Sequence, residues 1–406
     1  MNPARLVRLT LAHTLFALVA LTAASACHEG AKVEARSTST PSATPRFVGR
    51  FDFSDPAGPR FAWSTSTIEA SFTGTGLSMN LRAAPLDPHD VKIDGQRVTL
   101  HETTTSYTVR IDDASPFTIQ VGPTQEHYEL ARDLDPARVH VASVTRDAEA
   151  FAGVHQFLGF EVREGALVPA RARRLRLEIV GDSITCGYGI LGKDASCPFT
   201  YATENASLAY GALLGRALDA DVTTVCWSGR GIYRNYDIDG EPTMPELFEL
   251  ALPVPKGRPV RWSFDAAPKP HATVLHLGAN DFFADGNGDG KPEPIDHAAF
   301  EQAFARFLAR VRAVVGGAPV LVALAPMLKG PLREDARATL ERVVRARRAA
   351  GDDRVELLEL EEQGARVGCD SHPNAEMHRV LARQVEVALR AALARASPAH
   401  PASAAD

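Results

Sequence analysis

The chain has 406 residues, 45% of them hydrophobic and 23% charged, with a formal net charge of −6. That length accommodates two domains, and the composition is that of a soluble globular protein and excludes a membrane-embedded one. The acidic balance argues against a nucleic-acid partner.

Residues 1–26 read as a secretory signal: Arg5 and Arg8, an apolar stretch over 9–23, and Ala24-Ser25-Ala26 as an A-x-A cleavage site before Cys27. Its removal leaves 42 basic against 50 acidic side chains, a formal charge of −8. Cys27 has two open readings, an ordinary residue of a secreted chain or the lipid-anchored first residue of a lipoprotein, for which Ala24 stands where leucine is usual. Residues 27–45, rich in Ser, Thr and Pro, form the expected linker. Over 46–165, short alternating runs at 68–72, 77–81, 107–111, 117–121 and 139–144 are separated by Gly, Pro, Asp and Asn clusters. This pattern predicts an antiparallel β-sandwich, with no catalytic constellation inside it.

A Pro-bearing, Arg-rich stretch at 164–174 marks the boundary to a second domain, 170–396. There strand-like runs (175–180, 222–227, 272–277, 320–324, 355–360) alternate with helix-like ones (206–218, 297–315, 332–350, 374–394). The alternation predicts a three-layer α/β/α domain on a mostly parallel sheet. Residues 397–406 read as a disordered Pro/Ala tail.

The chemistry-bearing clusters follow the strand-like runs. GDSITCGYG (181–189) succeeds the first, SGRG (228–231) the second and GAND (278–281) the third, while DSHPN (370–374) stands near the end. In an open parallel sheet the loops at the carboxyl ends share one edge, so these distant residues can converge. Ser183 at a strand-to-turn junction suits a nucleophile, and His372 suits the base that takes its proton.

The order Ser183, Gly229, Asn280, His372 resembles the SGNH (GDSL) hydrolase superfamily. The stretches GDSITCGYG, SGRGI, TMPELFELALP, WSFD and LGANDF, with FVGRFDF, FAWSTSTIEASFTGTGLSMNL and FLGFEV upstream, are similar to carbohydrate esterase family 2 over residues 46–396. The resemblance implies a jelly-roll β-domain ahead of an SGNH catalytic domain, and removal of O-acetyl groups from plant polysaccharides such as xylan or glucomannan through an acetyl-serine intermediate. It implies Ser183 and His372 as catalytic residues, and the N–H groups of Ser183 and Gly229 with the Asn280 amide as oxyanion hole. Asp370 is the third catalytic candidate, but it lies two residues before His372, whereas the family pattern has its aspartate three before, at Cys369. Two arrangements follow: the Asp370 carboxylate completes a triad, or a backbone carbonyl orients His372 and leaves a dyad. Other SGNH activities (lipase, thioesterase) and a carbohydrate-binding role are the rival readings. We expect a monomer acting on an acetylated polysaccharide or oligosaccharide, with no nucleic-acid partner and no cofactor.

Asp182 and Asp281 are expected to brace the site loops. Tyr188, Trp227, Tyr233 and Tyr236 are candidates for a sugar platform, at least half of them being expected in packing instead. Cys186, Cys197, Cys226 and Cys369 are expected to form two disulfides in an oxidising compartment. Four cysteines allow three connectivities, and Cys186–Cys197 with Cys226–Cys369 is the expected partition, local in the first pair. Residues 285–296, DGNGDGKPEPID, match a calcium loop in part, at Asp285, Asn287, Asp289, Gly290 and Asp296. A polar Gly-rich turn accounts for the same residues, and no metal is assigned.

Overall fold

The computed structural model describes residues 43–396 apart from 94–95, 239, 241 and 254–257. The signal (1–26), Cys27, most of the linker and the tail (397–406) lie outside the described residues.

The N-terminal domain is built on two large antiparallel sheets, with a separate antiparallel pair, His89–Ile93 and Gln96–Leu100, beside them. One runs Arg46–Val48, Thr67–Thr73, His140–Arg146, Thr105–Ile111, Phe117–Val121, with Ala166–Val168 also paired to Thr67–Thr73. The other runs His127–Ala131, Gly76–Ala83, His155–Arg163, Arg60–Phe61, Phe51–Asp52. Period-two alternation sends Ile68, Phe72, Leu77, Met79, Tyr107, Val109 and Phe157 into one core, which is the burial that fixes strand register. The pairing of Ala166–Val168 carries this domain three residues past residue 165, into the stretch read as a boundary.

The second domain carries a five-stranded parallel sheet. Its strands are β1 (Leu175–Gly181), β2 (Ala220–Cys226), β3 (Ala272–His276), β4 (Val320–Leu324) and β5 (Val355–Glu359), in the order β2-β1-β3-β4-β5. All of β3 and β4 is buried, as expected of strands covered on both faces. The helices α1 (Ser183–Cys186), α2 (Tyr210–Ala217), α3 (Ala279–Phe282), α4 (His297–Val315), α5 (Gly330–Ala349) and α6 (Ala375–Ala396) connect them. From β1 the chain moves one way to β2 through α2, and from β3 the other way through α4 and α5. Right-handed crossovers in opposite directions put α2 on one face and α4 and α5 on the other, and α6 packs beside α2. The order reverses at β1, the place where α/β sheets open a crevice.

The helix expected over 206–218 is broken. Asn205 accepts the Leu208 N–H at 3.0 Å in a 3₁₀ turn, Ala206–Leu208, and α2 starts afresh at Tyr210, whose N–H donates to His378 of α6 at 3.1 Å. A donor that the helix cannot satisfy internally is thus taken up by a side chain distant in sequence.

The domains share a seam. Arg50, wholly buried, pairs with Glu178 of β1 at 2.9 Å, and the rings of Phe248, Trp262 and Phe264 surround its guanidinium at 4.9, 5.5 and 5.2 Å. Thr65 bonds Thr224 of β2 at 2.7 Å, and the Trp63 indole donates to the Leu250 carbonyl at 3.2 Å.

Candidate active site

The nucleophile candidate is held by the end of β1. A Cβ on Gly181 would lie 1.9 Å from the Thr185 hydroxyl, so only glycine lets the chain turn here. Asp182 caps α1 by accepting the Ile184 N–H at 3.1 Å, and Gly187 ends the helix in the left-handed region at φ 83°. Burial pushes the Asp182 carboxyl up to about 7, and the neighbouring Asp281 adds to the shift. Ser183 is therefore the first residue of a single helical turn, and its Oγ lies 2.8 Å from Nε2 of His372.

His372 comes from a turn that crosses to this edge of the sheet. Asp370 (φ 49°) and Ser371 (φ 61°) both adopt the left-handed region, which non-glycine residues rarely occupy. The turn is fixed by Cys369 N–H to the Gly189 carbonyl at 3.0 Å, Asp370 N–H to the Cys197 carbonyl at 3.0 Å, and Gln363 to the Ser371 carbonyl at 2.7 Å. In this conformation the Asp370 carbonyl lies 3.1 Å from Nδ1 of His372. A carbonyl only accepts, so Nδ1 carries the proton and the bare Nε2 faces the Ser183 hydroxyl, the tautomer a general base needs.

The Asp370 carboxylate does not reach the imidazole. Its Oδ2 accepts the Tyr188 hydroxyl at 2.7 Å and the Phe199 N–H at 3.0 Å. The triad reading of Asp370 is corrected accordingly: the residue touches His372 through its main chain, because two successive left-handed residues turn the carbonyl inward and the side chain away. Burial lowers the His372 pKa to about 4, against the opposing pull of Asp370. The Tyr188 ring lies 4.2 Å from the His372 ring and 4.3 Å from Phe199, so it packs on the base rather than offering a sugar platform.

Gly229 and Asn280 follow the strands that flank β1. Gly181 is in register with Cys226 of β2 and with His276 of β3, so the Gly229 and Asn280 loops leave the same edge as Ser183. Gly229 has φ 77°, and its carbonyl accepts the Tyr236 N–H at 2.8 Å. The Asn280 amide donates to the Arg230 carbonyl at 2.9 Å, which joins the two loops and leaves its second amide hydrogen over. Asp281 accepts the N–H groups of Ile232, Tyr233 and Arg234 at 3.0, 2.7 and 3.0 Å, and its burial pushes its carboxyl up to about 6. Asp182 and Asp281 are thus loop braces in geometry. Among the described residues the Gly229 N–H has no hydrogen-bond acceptor.

Of the remaining aromatics, Trp227 is half-buried against Phe151 at 5.9 Å, while Tyr233 and Tyr236 are exposed and Tyr236 lies parallel to Phe283 at 6.4 Å. Phe199 and Glu149 were missed by sequence reasoning. Phe199 had no motif to announce it, and Glu149 lies in a segment with no catalytic pattern.

The cysteines form two disulfides, but the expected partition is corrected to Cys186–Cys226 and Cys197–Cys369. Strand register is the cause. Cys226 is opposite Gly181, which brings it beneath the one-turn helix ending in Cys186. The stretch around Cys197 is left to meet the His372 turn, and Cα atoms of Cys197 and Cys369 are 4.6 Å apart.

In the 285–296 loop, Asp285 accepts the N–H groups of Asp289 and Gly290 at 3.0 and 2.9 Å, and Asn287 accepts that of Asp289 at 2.9 Å. Asp296 instead caps α4 at the Ala299 N–H. Among the described residues no group of three or more His, Cys, Asp or Glu side chains is arranged to hold a metal.

Residues 47–170 match the family Carbohydrate esterase 2 N-terminal, and residues 179–380 match the GDSL-like Lipase/Acylhydrolase family. The chain is 30% identical over 347 residues to the cellulase/esterase CelE of Acetivibrio thermocellus, covering 85% of this chain but only 39% of that protein's length. It is 26% identical to an acetylxylan esterase / glucomannan deacetylase of Cellvibrio japonicus, over 80% of this chain and 84% of that one. Among solved structures, a family two carbohydrate esterase from Clostridium thermocellum in complex with cellohexaose superposes with a TM-score of 0.75 at 29% identity, covering 86% of this chain and 99% of the other. A carbohydrate esterase family 2 enzyme of Corynascus thermopiles with a carbohydrate-binding domain gives 0.72 at 28% identity, covering 86% and 100%.

Proposed function

We propose that this chain, which belongs to carbohydrate esterase family 2, is a serine esterase that removes O-acetyl groups from plant polysaccharides of the xylan or glucomannan type. The contact that carries this reading is Ser183 Oγ to His372 Nε2 at 2.8 Å, with the Asp370 carbonyl on the other ring nitrogen. The N-terminal two-sheet domain is the family's jelly-roll in this reading.

The steps follow from the tautomer. His372 Nε2 takes the hydroxyl proton as Ser183 Oγ attacks the acetyl carbonyl. The oxyanion is held by the N–H groups of Ser183 and Gly229 and the second Asn280 amide hydrogen, each such donor being worth about 3 kcal/mol of barrier. The imidazolium, steadied by the Asp370 carbonyl, returns its proton to the departing sugar oxygen and leaves acetyl-Ser183. Water, deprotonated by His372, then attacks the acetyl group, and acetate leaves as the serine recovers its proton. Asp370 acts through its main chain, so the unit is a Ser–His dyad. Tyr233, Tyr236 and Phe283, exposed beside the Asn280 loop, supply aromatic faces for the pyranose chain.

The substrate lies outside the cell in this reading, and the 1–26 segment and Cys27 supply export, with or without a lipid anchor. No helix among the described residues is long and apolar enough to cross a membrane. The test is acetate release from acetylated xylan, glucomannan and pectin, set beside aryl esters of increasing acyl length. Preference for acetyl supports the proposal; faster turnover of long acyl chains makes the chain a lipase or thioesterase, and glycan binding without acetate release makes it a binding protein.

A further inference from the structure

Glu149 lies between the sandwich strands His140–Arg146 and His155–Arg163, as the residue leading into a 3₁₀ turn, Ala150–Ala152. It is wholly buried. Its Oε2 accepts the Ser228 N–H at 2.7 Å and its Oε1 accepts the Ser228 hydroxyl. One carboxylate thus takes both donors of the residue before Gly229.

The same peptide unit that follows Ser228 carries the Gly229 N–H. Downstream, the Gly229 carbonyl is held by the Tyr236 N–H at 2.8 Å and the Arg230 carbonyl by Asn280 at 2.9 Å. The turn is therefore pinned on both sides of the one N–H left without an acceptor, and its upstream pin comes from the other domain. The surroundings suit an acceptor. Glu204, equally buried, accepts the Glu149 N–H at 3.2 Å, and Arg146 donates to the Glu149 carbonyl at 3.0 Å. Burial raises both carboxyls, Glu204 well above the usual carboxyl range with Glu149 beside it adding to the shift, and the two Ser228 donors make Glu149 the acceptor of the pair.

We propose that Glu149 is a positioning residue of the esterase: by clamping Ser228 it aims the Gly229 N–H at the developing oxyanion, so that the N-terminal domain completes the catalytic site. This rests on the esterase reading of the Ser183–His372 dyad. An interaction made through the oxyanion acts in the transition state, so its loss lowers kcat and leaves KM alone.

The experiment compares kcat, KM and thermal midpoint of the full chain and its Glu149→Ala, Glu149→Gln, Ser228→Ala and Glu149→Gln/Ser228→Ala variants on an aryl acetate, with binding of phenylboronic acid as a tetrahedral mimic. Glu149→Ala is expected to lose about ten- to a hundredfold in kcat with KM nearly unchanged, and to lose boronate affinity in parallel. Should that variant not fold, Glu149→Gln and Ser228→Ala carry the test: each is expected to lower kcat, and the double variant to lose no more than the worse single one. Folded variants that keep kcat within about twofold, or losses that multiply in the double variant, overturn the proposal. If the parent chain itself turns over no acetate ester, the esterase reading has failed instead.

Discussion

Nδ1 of His372 lies 3.1 Å from the main-chain carbonyl of Asp370, while the carboxylate of that same Asp370 faces away, toward Tyr188 and Phe199. The tautomer of the base is thus set by backbone geometry. Asp370→Asn should therefore keep turnover within about threefold of the parent, in contrast to the roughly ten-thousandfold loss expected where a carboxylate holds the histidine. Steady-state kcat of the folded variant decides between them.

Burial lowers the His372 pKa to about 4, so the ring, against which Tyr188 packs, stays neutral and able to accept the serine proton well below the usual range near 6.5. Titration of the ring by NMR should give a midpoint well under 6.5. Tyr188→Ala exposes the imidazole to water and should raise that midpoint. The linked stability has a definite sign: the unfolded ring binds its proton near 6.5, so this contribution is complete above that pH and is lost as pH falls from there through about 4. A midpoint unmoved by Tyr188→Ala would rule out burial under this ring as the cause.

Peptide mapping of the unreduced protein should recover Cys186 joined to Cys226 and Cys197 joined to Cys369. Each bridge should contribute about 2–4 kcal/mol to stability. Cys197→Ser/Cys369→Ser should cost more turnover than Cys186→Ser/Cys226→Ser, because the first pair anchors the turn that presents His372. Recovery of a Cys186–Cys197 peptide, or equal kinetic losses, would count against this assignment.

Arg50 crosses the domain seam and is the cation that answers Glu178. Arg50→Ala leaves the Glu178 carboxylate buried without it, a change that costs about 3–5 kcal/mol. Chemical denaturation of the variant should show that loss, and Arg50→Ala/Glu178→Ala should recover part of it. A single variant as stable as the parent would show that the pair contributes nothing at the seam.

What could be read in the sequence was whatever follows a strand. Ser183, Gly229 and Asn280 each come within four residues of the end of a buried strand, and the parallel sheet aligns those ends. The strands themselves were legible from their apolar runs. Contacts set by register and by chain reversal were not. The disulfide partition depends on Cys226 standing opposite Gly181, and locality in sequence points elsewhere. The role of Asp370 depends on two left-handed residues, which spacing to His372 does not encode. The break before Tyr210 depends on His378, and the clamp on Ser228 depends on Glu149 of another domain. Cys226, His378 and Glu149 each lie far along the chain from the residue they meet.

The central claim is that Ser183 attacks an acetyl ester with His372 as its base, and the most direct measurement is acetate release from acetylated glucomannan or xylan by the parent chain and by Ser183→Ala. Release by the parent is expected, with a loss on the order of a millionfold in kcat for Ser183→Ala and the fold and thermal midpoint retained. A folded Ser183→Ala protein that keeps more than roughly a tenth of the parent rate would contradict it.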